Sequence, residues 1–447
     1  MGENRGFVDV SQLDHSPYFS SGFVAMPCIG PAGRYDLIRS RAMRFSQRLE
    51  EYTELVKRIG QQQLIGASET QRLLVKATKP VGLTDDEIIG LLNGLEDPEN
   101  ARAVLDFSCS YSRPRDGEVF LLPPLYFSSI CENKCAYCDF STGGGVRLTS
   151  QEFRQEVETL LEMGYRSIEL VSSQDPELFI RQTPFEPEDQ TFDLTGALRY
   201  FEILNEMIAA GGGGMITSNI PPVSTRGFEE LKAAGLDCFL VWLETFDPVQ
   251  YDRLHADTGP KGDQAFRLDS FERALEAGVR HIAGGFLKGL HDWRKEEAIL
   301  YLFDRHLKEQ WGQGFSVIGS PRVKGRFLGS MAIKDSLVSD EEYRLNIALD
   351  RVLFDGILWL QTRESFDFNR HLINTYGGGV VLTLTSCTAP GGYSKPTEAH
   401  AQFPVHSQDY LDAVSRLEED GLTVHSAWDT SDLSECQRSR TQSNESR

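Results

Sequence analysis

The stretch Glu118–Phe140, EVFLLPPLYFSSICENKCAYCDF, joins a strand to a cysteine loop. Its first half, EVFLLPPLYFSS, is an apolar and aromatic run that reads as a β-strand. Its second half, CENKCAYCDF, places Cys131, Cys135 and Cys138 at positions one, five and eight, in a chain with eight cysteines in 447 residues. Three thiols at that spacing, directly after a strand, point to a ligand site at a strand end.

Outward from this stretch the texture differs on the two sides. Before it, RAMRFSQRLEEYTELVKRIGQQQLIGASETQRLLVKAT carries apolar residues at three- and four-residue spacing, and TDDEIIGLLNGL has the form of a capped amphipathic helix, so residues 1–115 are expected to form a helical extension. After it, short β-rich runs alternate with amphipathic helices: SIELVSS, MITSNI, DCFLVWLET, HIAGGFLKGL, SVIGS, ILWLQTRES and VVLTLTS are the strand candidates. Roughly eight strands in about 270 residues suit a (β/α)8 barrel, whose active site lies at the C-terminal strand ends. The expected division is a core over 116–335, a region over 336–429 that completes the barrel, and a polar, disordered tail over 430–447.

Composition narrows the function classes. The chain is 40% hydrophobic, ordinary for a large globular core, and contains no run of eighteen apolar residues and no basic-then-apolar leader in its first thirty. Neither a membrane span nor a secretory signal is expected. With 66 acidic against 45 basic residues the net charge is -21, which argues against nucleic acid as a partner. The remaining cysteines, Cys28, Cys109, Cys238, Cys387 and Cys436, are scattered, unlike a secreted disulfide framework, so a reducing cytoplasm is the expected compartment.

A structural zinc site usually takes four protein ligands, and no second CxxC or HxxxH occurs in the chain. A disulfide would leave one thiol over. A 4Fe-4S cluster held by three thiolates leaves one iron open to a small molecule. A CxxxCxxC after the first barrel strand, with the aromatic Tyr137 before the third cysteine, resembles the signature of radical S-adenosylmethionine (SAM) enzymes. The resemblance extends through LETFDPVQYDRLHADTGPKGD, FRLDSFERALEAGVRHIAGGFLKGLHDW, TRES and CTAPGGYS to the aromatic amino acid lyases of that family, over residues 118 to about 429. These are the thiamine-pathway and hydrogenase-maturation tyrosine lyases and the nosiheptide tryptophan lyase, and 336–429 resembles their C-terminal region shared with biotin synthase.

The resemblance implies a 4Fe-4S cluster on Cys131, Cys135 and Cys138, SAM as cofactor, an amino acid as substrate, and a flavodoxin or ferredoxin as electron donor. Asp139 and Phe140 would cover the cluster side, and Gly143–Gly145 would allow close backbone approach. Tyr137 would flank the cofactor. Glu244 matches the acid that receives the SAM ribose hydroxyls, and Arg267 the arginine on its carboxylate, with Arg273 a second candidate. Tyr126, Arg363 and Thr383 match the set that holds the substrate's amino acid backbone. A guanidinium fork and hydroxyls suit that role. Taken singly, these residues would more often be a core tyrosine, surface arginines and a strand threonine.

Three departures from the family pattern stand out. Gln174 in SSQDP occupies the place of a glutamate expected at the SAM amino group. Only Cys436 lies near the C-terminus, where the hydrogenase-maturation enzyme needs a cysteine motif. SPRVKG at Ser320–Gly325 and CTAP at Cys387–Pro390 also differ on the substrate side. The implied reaction is Cα–Cβ cleavage of an aromatic amino acid, tyrosine first. The alternatives are a same-branch enzyme rearranging another amino acid in natural-product or cofactor biosynthesis, and a non-catalytic iron-sulfur or zinc protein.

Overall fold

Ten strands form one curled sheet in the computed structural model, and every ladder in it is parallel. In chain order they are β1 (Glu118–Leu121), β2 (Pro124–Ser128), β3 (Ile168–Ser172), β6 (Ile216–Asn219), β7 (Cys238–Trp242), β8 (His281–Gly285), β9 (Val317–Ile318), β10 (Ile357–Leu360), β11 (Val380–Leu382) and β12 (Thr423–His425). The two remaining strands, β4 (Ile180–Arg181) and β5 (Phe192–Asp193), make a small antiparallel ladder of their own. The sheet order is β12, β1, β11, β10, β9, β8, β7, β6, β3, β2. Eight of these strands follow the βα rhythm expected from the sequence, with β1 and β12 added beside β11. The residues described are 43–181, 192–255, 259–319, 321–323, 336–385, 387–395, 399, 401–403, 405–406 and 408–434.

The structure corrects the expected single strand EVFLLPPLYFSS. It is two strands in different places of the sheet: β1 pairs with β11 and β12, whereas β2 pairs with β3. Pro123 and Pro124 lie at the break, where two residues without backbone N–H interrupt a continuous ladder. Strand β12 and the helix Phe366–Tyr376, capped by Ser365 directly after TRE, went unread in the sequence.

Helices Leu49–Val56, Ala67–Ala77, Asp85–Gly94 and Pro98–Ser110 bear out a helical segment ahead of the sheet. Thr84 and Glu87 form the reciprocal capping box that TDDE suggests. Leu49–Val56 and Asp85–Gly94 pack on the outer helix Trp293–Trp311, and Ala67–Ala77 and Pro98–Ser110 on the helix Asp340–Leu353. Beside them Phe45 stacks on Phe303 at 3.7 Å between ring centroids, and the Leu83 N–H donates to the Tyr301 hydroxyl at 2.6 Å. The first 42 residues of the expected extension lie outside the described residues, as do Cys28, Cys436 and residues 435–447.

Apolar residues divide between a large layer under the helices and a smaller cluster inside the sheet's curl, where Phe120, Met215, Leu240, Val317, Trp359, Val381 and Trp428 meet. Thr430–Ser434, assigned to a disordered tail from its polarity, instead forms a helical turn, and Leu433 is fully buried in that inner cluster. One apolar residue in a polar segment is enough to anchor it. Trp428 closes the base: its indole N–H donates to the Leu121 carbonyl at 2.8 Å and its ring lies 5.4 Å from Phe120. Trp428→Ala removes this plug, and unfolding by denaturant should show a loss of about 3–5 kcal/mol.

Candidate functional site

The site lies where the C-terminal strand ends converge, as the barrel reading requires. The cysteine loop leaves the end of β2 and is fixed to the segment after β3. Ser128 donates to the Asp175 carboxylate at 2.6 Å, the Glu132 N–H donates to the Gln174 carbonyl at 3.0 Å, and Arg147 clamps Asp175 at 2.7 and 2.6 Å. Gly145 passes so close to this loop that a Cβ would stand 2.5 Å from the Ile130 nitrogen and the Ser129 oxygen. Of the three glycines expected to allow close approach, Gly145 is the one that makes it; Gly143 and Gly144 supply positive φ in open space.

Cys131, Cys135 and Cys138 line one cleft of about 1140 Å³, open mouth included, together with Tyr126, Tyr137, Gln174, Glu244, Arg267, Arg363 and Thr383. Phe140 lines it too, Asp139 does not, and of the eleven ligand and binding residues expected from the sequence ten meet in this single place. The exception is Arg273. Its guanidinium donates to the Val223 and Phe266 carbonyls at 2.9 and 2.7 Å and stacks on the Phe266 ring, behind the cleft wall. The two arginines stand on successive short helices, Gln264–Leu268 and Ser270–Glu276, and Arg267 faces the cleft while Arg273 supports its wall.

Glu244 is the electrostatic centre of one wall. It has φ of +68°, an uncommon backbone conformation for a residue other than glycine, directly beyond the end of β7. Burial opposes its ionisation, but Lys261 at 2.6 Å and Arg267 at 3.5 Å outweigh burial and hold the carboxyl below its usual range. Arg267 also donates through Nε to the Trp242 carbonyl at 2.8 Å. Lys261 was missed in the sequence, where a lysine in a GPKGD turn gives no sign that it folds back over Glu244.

Tyr137 is tied to a histidine. His255 Nδ1 lies 2.8 Å from the Tyr251 carbonyl, so it carries the proton, and Nε2 accepts from the Tyr137 hydroxyl at 2.7 Å. Burial, with Lys261 nearby, pushes His255 down to about 3, so the ring stays neutral.

The opposite wall gathers the three residues expected to hold an amino acid. The Tyr126 hydroxyl donates to Gln402 Oε1 at 2.8 Å, Arg363 stacks on the Phe403 ring at 3.8 Å, and Thr383 Oγ1 accepts from the Trp359 indole at 2.6 Å. Gln402 and Phe403 belong to a segment with no motif of its own, so nothing in the sequence marks them. Lower in the cleft lie Glu169, Asn219 and Trp242. A signal for Glu169 did exist: a carboxylate inside the apolar strand SIELVSS is out of place unless it is used.

The donor set suits an iron-sulfur cluster better than a single ion. Among the described residues, no three His, Cys, Asp or Glu side chains close on one point as single-ion ligands do. The fit rests on three free thiols on one loop around the cleft. Burial pushes Cys138 up to about 12 and raises Cys131, so bound iron is what would keep these sulfurs as thiolates. Among the described residues no helix is long and apolar enough to cross a membrane.

A model of the Radical SAM superfamily matches residues 125–302. The 2-iminoacetate synthase of Salmonella typhimurium (strain LT2) is 28% identical over 368 residues, covering 79% of this chain and 90% of that protein. That of Escherichia coli (strain K12) is 29% identical over 319 residues, covering 69% and 77%. The FeFe-hydrogenase maturase HydG from Carboxydothermus hydrogenoformans matches in structure with a TM-score of 0.71 at 25% identity, over 92% of this chain and 87% of that one. Methylornithine synthase (PylB), at 17% identity and a TM-score of 0.54, shares the fold. A radical SAM domain implies a 4Fe-4S cluster, SAM, a reductant and a small-molecule substrate. Residues 125–302 thus carry a radical SAM domain, and over most of its length the chain is similar to the 2-iminoacetate synthases and to HydG, consistent with the tyrosine lyase branch.

Proposed function

We propose that this protein cleaves the Cα–Cβ bond of an aromatic amino acid, tyrosine in the first place. The observation that carries this reading is that Tyr126, Arg363 and Thr383 line the same cleft as the three cysteines and Glu244. The cluster with SAM supplies the radical that takes one hydrogen from the substrate amine. Everything else falls to the chain.

Cys131, Cys135 and Cys138 hold the cluster, with Tyr137 packed beside them. Glu244 accepts the SAM ribose hydroxyls, an acceptor-only group for two neighbouring donors. Arg267 keeps donors for the SAM carboxylate, and Gln174 offers an amide in place of the family carboxylate. Arg363, its plane set by Phe403, grips the substrate carboxylate through its fork, and Thr383 retains its hydroxyl hydrogen because its oxygen already accepts from Trp359. This fixes the amine toward the cofactor, and a displacement of about 1 Å there costs on the order of 100-fold in rate. A flavodoxin or ferredoxin fits as the reductant.

The test is anaerobic reconstitution with iron and sulfide, followed by SAM, dithionite and each of the twenty amino acids. The expected result is that tyrosine alone raises 5'-deoxyadenosine and yields p-cresol with glyoxylate. A loaded enzyme that cleaves SAM but couples it to none of the twenty would overturn the tyrosine assignment and direct the search to another amino acid-like substrate.

A further inference from the structure

We infer that Glu169, oriented by Asn219, is the specificity-determining group of the cleft and accepts the phenol O–H of a 4-hydroxyphenyl amino acid. The inference rests on the lyase reading and names what that reading leaves open, the group that recognises the substrate side chain.

Register places Glu169 where such a group is needed. In the β2–β3 ladder Tyr126 pairs with Val171 and Pro124 with Glu169, so the carboxylate lies two residues deeper in the barrel than the clamp. At about 3.3 Å per residue that is roughly 6.6 Å, comparable to the reach of a para-substituted ring from its Cα. Glu169 faces the cleft, and its charge raises the Tyr126 hydroxyl further beyond what burial does. The two groups thus look into one space from successive layers.

Its surroundings leave it unsatisfied as a purely structural residue. Glu169 is 5% exposed, and its Oε1 accepts from Asn219 Nδ2 at 3.0 Å. Among the described residues its side chain has no other hydrogen bond and no cation beside it. Burial pushes its carboxyl up to about 7, against the pull of the Asn219 bond. A buried carboxylate with one amide partner keeps acceptor capacity for a ligand. Aromatic faces suited to a flat ring share this cleft: Trp242, whose ring lies 5.7 Å from that of Trp359 behind it, and Phe140, which meets Tyr126 edge to face at 6.1 Å.

A phenol matches this floor better than an ammonium does. A neutral hydroxyl brings one donor and leaves one water behind, whereas an ammonium brings three donors and a charge to be desolvated. A site built to pair with a hydroxyl also rejects the analogue that lacks it, because the buried acceptor is then stranded.

The experiment compares tyrosine, phenylalanine and lysine with the reconstituted holoenzyme and with Glu169→Leu and Glu169→Gln, reading both 5'-deoxyadenosine and amino acid-derived product. Wild type is expected to favour tyrosine over phenylalanine by at least about 100-fold in kcat/KM. Glu169→Leu should reduce that ratio at least tenfold, while Glu169→Gln, which keeps an acceptor, should retain most of it. An unchanged ratio in Glu169→Leu with tyrosine still consumed overturns the inference and leaves the lyase reading intact. SAM cleavage by wild type with no aromatic amino acid consumed overturns both. Glu169-dependent consumption of lysine would mean that the floor takes an ammonium, and the phenol assignment falls. Should Glu169→Leu fail to load its cluster, Asn219→Ala is read on the same ratio, where no change overturns the inference.

Discussion

Cys135→Ala should lose both the iron-sulfur absorbance and all SAM cleavage, leaving a folded chain with no 5'-deoxyadenosine above background. Cys135 is 4% exposed and packs among Tyr137, Leu254, Leu287, Leu290 and Val323. Alanine keeps the Cβ in that apolar setting, so the packing lost is one sulfur atom, and cysteine packs as a small hydrophobe. The chemical loss is far larger. With only two thiolates on the loop, two of the four irons would lack a protein ligand instead of one, and the cluster would not be maintained. Iron and sulfide content, visible absorbance and 5'-deoxyadenosine are the three readings, with thermal unfolding as the control. Cys387→Ala serves as the comparison, since that thiol bonds to the nearby Ala389 backbone and should leave all three unchanged. SAM cleavage retained by Cys135→Ala would remove the cluster assignment altogether.

Much of this site was legible in the sequence because its parts obey local rules. Strand and helix alternate with distinct periods, strand ends point to one face, and the cysteine spacing is fixed by the loop that carries it. Glu244, Arg363 and Thr383 could be placed because the motifs around them resemble those of the lyases, and each follows or ends a strand whose apolar run is plain. What failed was what only three dimensions decide. Two prolines split one apolar run into β1 and β2, and the choice of partner for each half depends on β11 and β3, far along the chain. Arg267 and Arg273 share a motif and differ only in which side of a wall they face. Lys261, Gln402 and Phe403 reach the cleft from turns and loops, where no periodicity marks an inward side chain. Leu433 shows the converse, a single apolar residue anchoring a segment whose composition reads as disordered.

Arg363→Ala should abolish coupled amino acid turnover while slow SAM cleavage continues. The guanidinium lines the cleft wall with its Cζ 3.8 Å from the Phe403 ring centroid, a contact that restricts it before substrate arrives. Two hydrogen bonds to a carboxylate, each about 1.5–3 kcal/mol, correspond at tenfold per 1.4 kcal/mol to roughly 10²- to 10⁴-fold in kcat/KM. Arg363→Lys restores the charge but neither the fork nor the stack, so it should recover only a small part of that loss. Cluster content and SAM binding should be unaffected, because the cysteines and Glu244 stand on other elements; an unchanged product yield would remove the clamp. The two ends of the cleft then separate by their effect on choice rather than rate. On the proposed reading every amino acid brings a carboxylate to Arg363, so Arg363→Ala should depress tyrosine and phenylalanine alike and leave their ratio as it was. Only one of the two carries a donor for Glu169, so Glu169→Leu should move the ratio. A protein in which Arg363→Ala moved the ratio as well would be holding the side chain, not the backbone, at that wall.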